Sequence, residues 1–244
     1  MELKHQLTPH LKRLRLSGIL ETLDARHRQA IDGKWPYVEF LERLLEDEVE
    51  RRSQKQLHLR LRRSGVNTTK SLESFDFNFN PTINRQQILA LAVCDYIREK
   101  RNLLICGPTG VGKTHIAEAL GQEACRQGFQ VLLVNAYKML SHLHGGRADG
   151  SWQRRLKTYL RPDLLILDDF GLKPLQTPAP NDLYDVINER YEQGSILLTS
   201  NRPPAEWPGL FGDPLLASAG IDRICHRAEI VIIRGDSFRA QGRQ

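Results

Sequence analysis

The chain has 244 residues, 40% hydrophobic and 26% charged, with a net charge of +6. That length and balance fit one substantial α/β domain with a smaller attachment and exclude wholesale disorder. Lys12, Arg13 and Arg15 break the run from Leu11 to Leu20, which excludes a signal peptide or membrane span there and leads to the expectation of a soluble, cytoplasmic protein.

Residues 1–70 hold 15 Lys and Arg against 10 Asp and Glu, so most of the positive excess lies there, and a polyanionic partner is expected for that part. Leu7, Leu11, Leu14, Ile19, Leu20 and Leu23 fall near helical spacing, with Thr8-Pro9 as the predicted helix start. Asp32-Gly33 interrupts, and Pro36 opens a second helix with an apolar stripe of Val38, Leu41, Leu44, Leu45, Val49, Leu57 and Leu61. Its first half is acidic and its second half, Arg51 to Arg63, basic, an order that suits the helix dipole. Residues 1–66 are therefore expected to form a small helical domain. Residues 67–82 read as a linker whose Phe75, Phe77 and Phe79 pack it onto the larger domain.

From residue 83 onward, helices predicted near 84–99, 113–127 and 181–193 alternate with apolar strands at 103–106, 131–134, 164–167, 195–199 and 230–233. This alternation predicts a parallel sheet sandwiched by helices, forming one α/β core over 83–244. The four cysteines, Cys94, Cys106, Cys125 and Cys225, make no CxxC pair and have no histidine at ligand spacing except the adjacent His226. They read as reduced, mostly buried thiols.

Gly107-Pro108-Thr109-Gly110-Val111-Gly112-Lys113-Thr114 satisfies the P-loop pattern in full, and it follows a predicted strand and opens a helix. Its amides, with His115 next in the run, are assigned to nucleotide phosphates. Lys113 is assigned to the β- and γ-phosphates and Thr114 to Mg²⁺. The apolar strand at 164–167 ends in Asp168-Asp169. Two adjacent carboxylates repel without a cation, so Asp168 is assigned to Mg²⁺ and Asp169 to the attacking water. Asn201, after the next strand, fits a polar contact to the γ-phosphate and water, although it also begins the turn Asn201-Arg202-Pro203-Pro204. Arg223 is a candidate for reaching a neighbouring subunit's site, with Arg227, Arg234 and Arg239 as rivals and a surface Asp222–Arg223 pair as the plain alternative.

The chain resembles the IstB-like transposition helper ATPases, a branch of the AAA+ superfamily close to the DnaC-type helicase loaders. The resemblance rests on Trp35-Pro36-Tyr37, Phe75-Asp76-Phe77, the P-loop, Leu167-Asp168-Asp169-Phe170-Gly171, Thr199-Ser200-Asn201-Arg202-Pro203 with Trp207, Gly212-Asp213-Pro214, Asp222-Arg223 and Gly235-Asp236-Ser237-Phe238-Arg239. It implies an AAA+ core, little or no C-terminal lid, assembly into homo-oligomers on ATP and DNA, and delivery of double-stranded target DNA to a partner transposase. Where most AAA+ proteins carry Glu, Asp169 is one methylene shorter, which implies slow turnover. The resemblance also implies that the basic stretch with Lys138, Arg147, Arg154, Arg155 and Lys157 faces DNA, touching phosphates without reading sequence; Arg51 to Arg63 is a second candidate surface. The alternatives are a helicase loader of the same clade, a small-molecule kinase and a nucleotide-gated scaffold with little catalysis.

Overall fold

The structure, a computed structural model, describes residues 2–238, with side chains from residue 6. Arg239 therefore lies outside the described residues. The chain divides into two compact units, residues 1–59 and 60–244.

The first unit contains α1 (Glu2–Arg13), α2 (Ser17–Gly33) and the larger part of α3 (Tyr37–Ser64). Pro9 lies inside α1 rather than at its start. There it supplies no N–H to the preceding turn and its ring crowds the carbonyl four residues back, a local weakness in this helix. Ile19, Leu23 and Leu44 form the small core, with Leu11, Leu16 and Phe40 against it. A Cβ on Gly18 would lie 2.7 Å from Glu48 Cα, so glycine is what lets α2 and α3 touch. The Glu48 carboxylate, 4% exposed, accepts the Gly18 N–H at 2.6 Å and Arg52 Nε at 2.7 Å. Arg26 grips Asp47 through Nε at 2.9 Å and Nη2 at 2.6 Å, and this hydrogen-bonded guanidinium holds the Asp47 carboxyl down at about 2. Val38, Leu41, Leu45 and Val49 of the predicted stripe are exposed.

The second unit begins with the last turn of α3 and continues through α4 (Arg85–Leu91), α5 (Asp95–Arg98), β1 (Leu103–Cys106), α6 (Lys113–Arg126), β2 (Val131–Asn135), α7 (Ala136–Ala148), α8 (Trp152–Leu160), β3 (Leu164–Phe170), α9 (Ala179–Arg190), β4 (Ser195–Ser200), α10 (Pro208–Phe211), α11 (Pro214–Cys225) and β5 (Glu229–Ile232). The helix expected near 84–99 is two short helices, because Cys94 takes a left-handed φ of 64° between them.

The sheet is parallel throughout, in the order β2-β3-β4-β1-β5. Strands β1 and β4 at its centre are buried from end to end, and their middles are apolar, as a sheet covered on both faces requires. One face, with Leu104, Leu165, Leu167, Ile196 and Leu198, packs in the main core with residues of α7, α8, α9, α10 and α11. On α6, Gly121 backs onto Ile166, where a Cβ would approach the isoleucine tip to 2.8 Å. No described helix is long and apolar enough to cross a membrane.

Residues 67–82 are strapped to the core. Gln122 Nε2 donates to the Asn67 carbonyl at 3.0 Å and the Lys70 carbonyl at 2.6 Å, and Lys70 pairs with Glu118 at 3.1 Å. Phe75 stacks edge-on with His115 and Phe77, while Phe79 stacks with Phe238. Asn80 Nδ2 and Thr82 Oγ1 donate to the Arg234 carbonyl at 2.6 Å and 2.8 Å. The three phenylalanines therefore do the packing expected of them.

Candidate nucleotide site

The P-loop leaves β1 at the carboxyl edge of the sheet and enters α6. Gly107 donates its N–H to the Ser200 carbonyl at 3.1 Å, tying the loop to the end of β4. Gly107, Gly110 and Gly112 all have positive φ. Gly110 is further restricted because a Cβ there would collide with Ser237, and its carbonyl accepts the Phe238 N–H at 3.1 Å. The loop is thus shaped from behind by Ser237 and Phe238, a contact with no counterpart in the generic motif.

Lys113 Nζ donates to the Gly107 and Pro108 carbonyls at 2.8 Å and 2.7 Å, which holds the ammonium over the loop. Thr114 Oγ1 donates to Asp168, at 3.0 Å from Oδ1 and 3.2 Å from Oδ2. A hydroxyl and a carboxylate in this pairing, beside a curled run of amides, are the hard oxygen donors a divalent cation takes alongside phosphates. The residues present therefore fit a triphosphate with magnesium. Asp169, at the left-handed φ of 61°, receives Asn135 Nδ2 at Oδ2, 3.4 Å away. Asn201 Oδ1 is buried without a hydrogen-bond partner. A buried acceptor of that kind is costly unless a donor completes it, which suits the water part of the assigned contact, since a phosphate oxygen has no hydrogen to donate.

Other assignments separate from this cluster. The His115 imidazole is occupied by the strap, with Nε2 donating to the Ser71 carbonyl at 2.9 Å, so only its backbone remains for phosphate. Arg223 stacks over Tyr184 at 5.4 Å and lines a cavity of about 220 Å³ with Lys100, Asn102 and Arg227, at the start of β1 and away from this chain's own P-loop. Burial pushes the Cys106 thiol, next to the P-loop, up to about 11, so it stays protonated and unreactive.

The five basic candidates on α7 and α8 also divide. Arg147 donates through Nε and Nη2 to Asp182, which is fully buried, and Trp152 Nε1 donates to the same oxygen at 2.9 Å. Arg155 bonds Ser151, the His142 carbonyl and Asp149, closing the α7–α8 turn. These two arginines hold the helices together. Lys138, Arg154 and Lys157 are exposed.

Asn135 lies outside every motif, and Thr199 lies inside one that assigns it no role. Asn135 caps α7 by accepting the Tyr137 and Lys138 N–H groups at Oδ1, and reaches Asp169 with its other amide atom. A polar residue ending an apolar strand just before a helix is the signal that would have found it.

The sheet order, the P-loop and the acidic strand end define an AAA+ P-loop protein. The IstB-like ATP binding protein family matches residues 9–244, and the chain belongs to that family. It is 39% identical over 234 residues to an ATP-binding protein of an insertion sequence from Mycobacterium tuberculosis, covering 96% of this chain and 93% of the relative. Two solved structures share the fold. The DnaC helicase loader has a TM-score of 0.53 at 23% identity, over 61% of this chain and 87% of that one. The replication initiator DnaA bound to AMPPCP and single-stranded DNA has a TM-score of 0.55 at 23% identity, over 70% of this chain and 52% of that longer one.

Proposed function

We propose that the chain is an ATP-dependent DNA-binding helper of transposition, which assembles on target DNA, delivers it to a partner transposase and hydrolyses ATP to release or reset. The Thr114–Asp168 pair beside the Lys113-covered loop carries the catalytic part of this reading. The P-loop amides and Lys113 bind and orient the triphosphate. Thr114 and Asp168 hold magnesium, which when bound neutralises charge on the phosphates. Asp169 orients the attacking water and takes its proton, with Asn201 as the second contact to that water. Arg223, set apart from its own loop, acts on a neighbour's γ-phosphate, so turnover requires assembly. The insertion-sequence relative favours this reading over a helicase loader of the same fold.

Lys138, Arg154 and Lys157 supply the DNA contact, with Arg154 and Lys157 three residues apart on one face of α8. Substituting all three with Gln is expected to cut duplex affinity at least about tenfold and to reduce the slope of log K against log salt by roughly 2 to 3, with ATP affinity unchanged. Fluorescence anisotropy across a salt series checks this. A variant with the wild-type slope would remove these residues from the DNA contact.

A further inference from the structure

We infer that Thr199 is the positioning residue that aims both acidic side chains of the site. This rests on the hydrolytic reading above and gives a role to a residue that the motifs leave without one. Successive residues of a regular strand point to opposite faces, so a plain strand would send Asp168 and Asp169 apart. The ladder between β3 and β4 is irregular at this point. Leu167 pairs with Leu198 and Phe170 with Ser200, so Asp168 and Asp169 together oppose Thr199 alone. One extra residue on one strand is a β-bulge, a device that re-aims side chains.

Thr199 fills the gap that the bulge leaves. Its side chain is fully buried. Its hydroxyl donates to Asp168 Oδ1 at 2.5 Å and accepts the Asp169 N–H at 3.0 Å. The single hydroxyl proton orients the metal-holding carboxylate, while an oxygen lone pair holds the backbone of Asp169 at its φ of 61°. A non-glycine residue in that region is held only when its surroundings fix it. Thr114 approaches the same carboxylate from α6, so Asp168 is gripped from two elements at once. Valine has the shape of threonine but can make neither bond.

The test uses the full chain as wild type, Thr199→Val and Thr199→Ser, with magnesium, ATP and duplex DNA. Thr199→Val is expected to lower kcat by about 30-fold or more and leave the KM for ATP within about threefold, since the groups gripping the triphosphate are untouched. Thr199→Ser restores most of the rate. A second readout needs no turnover: Mn²⁺ titrated by electron paramagnetic resonance with a non-hydrolysable ATP analogue should bind several-fold more weakly to the valine variant and normally to the serine variant. Wild-type kcat and Mn²⁺ affinity in Thr199→Val, or a serine variant as poor as valine, would overturn the assignment. Loss of ATP binding or of the folded state in Thr199→Val would also overturn it, by making the residue a structural one. A wild-type protein that releases no phosphate would refute the hydrolytic reading, with the Mn²⁺ arm still deciding Thr199.

Discussion

Replacing Lys113 with Ala is expected to weaken ATP binding by about two to three orders of magnitude while leaving the fold intact. The ammonium is held above the loop by the Gly107 and Pro108 carbonyls, where the proposed function has phosphate oxygens converge. Charge-assisted hydrogen bonds are worth about 1.5–3 kcal/mol each. Losing two of them, each near the lower end of that range, corresponds to roughly 3–4 kcal/mol, at about 1.4 kcal/mol per tenfold. Stability should change little, because the loop carbonyls that Lys113 releases can be reached by water. Titration with a fluorescent ATP analogue, alongside thermal unfolding, separates the two effects. Equal loss of both would mean that Lys113 serves the fold.

The second large effect is expected far from the nucleotide. Arg190 is 2% exposed. Its Nη1 donates to the carbonyls of Tyr159, Leu160 and Pro162, and its Nη2 to those of Asp163 and Ser195. One guanidinium thus staples the end of α8, the turn into β3 and the start of β4. Burial lowers its pKa to about 10, with Asp163 opposing, so it remains charged at neutral pH. Arg190→Met keeps much of the volume but takes a donor from five carbonyls, of which that of Asp163 still accepts the Ser195 N–H. The expected loss is on the order of 3–5 kcal/mol, a fall in Tm of about 10 °C for a domain of this size. Arg190→Lys should lie between, because a compact ammonium cannot span the same carbonyls. Calorimetry or urea unfolding checks this, and a methionine variant as stable as wild type would show that water can satisfy the carbonyls.

The sequence made the P-loop side of the sheet readable because its chemistry is local. The P-loop run, the apolar strand ending in Asp168 and Asp169, and the strand before Asn201 each announce themselves within a few residues. The sheet was equally readable, since buried parallel strands are nearly pure apolar runs. What remained hidden depends on partners distant in sequence. Arg147 looked like Arg154 until Asp182, 35 residues on, claimed it. Arg190 gave no local sign of its five carbonyls. The strap at 67–82 looked like a linker because its polar residues spend their bonds on α6 and on residue 234, more than 150 positions away. The bulge that turns Asp169 is set by Thr199, which a strand pattern counts only as one more β-branched residue.

Phosphate release with magnesium, ATP and duplex DNA, compared between wild type and Asp169→Asn, bears most directly on the proposed hydrolysis. The expected outcome is repeated turnover by wild type and less than about 1% of that rate in the variant, with ATP affinity preserved, as loss of a general base predicts. Equal rates in the two proteins, or no release by wild type under any DNA condition, would contradict it.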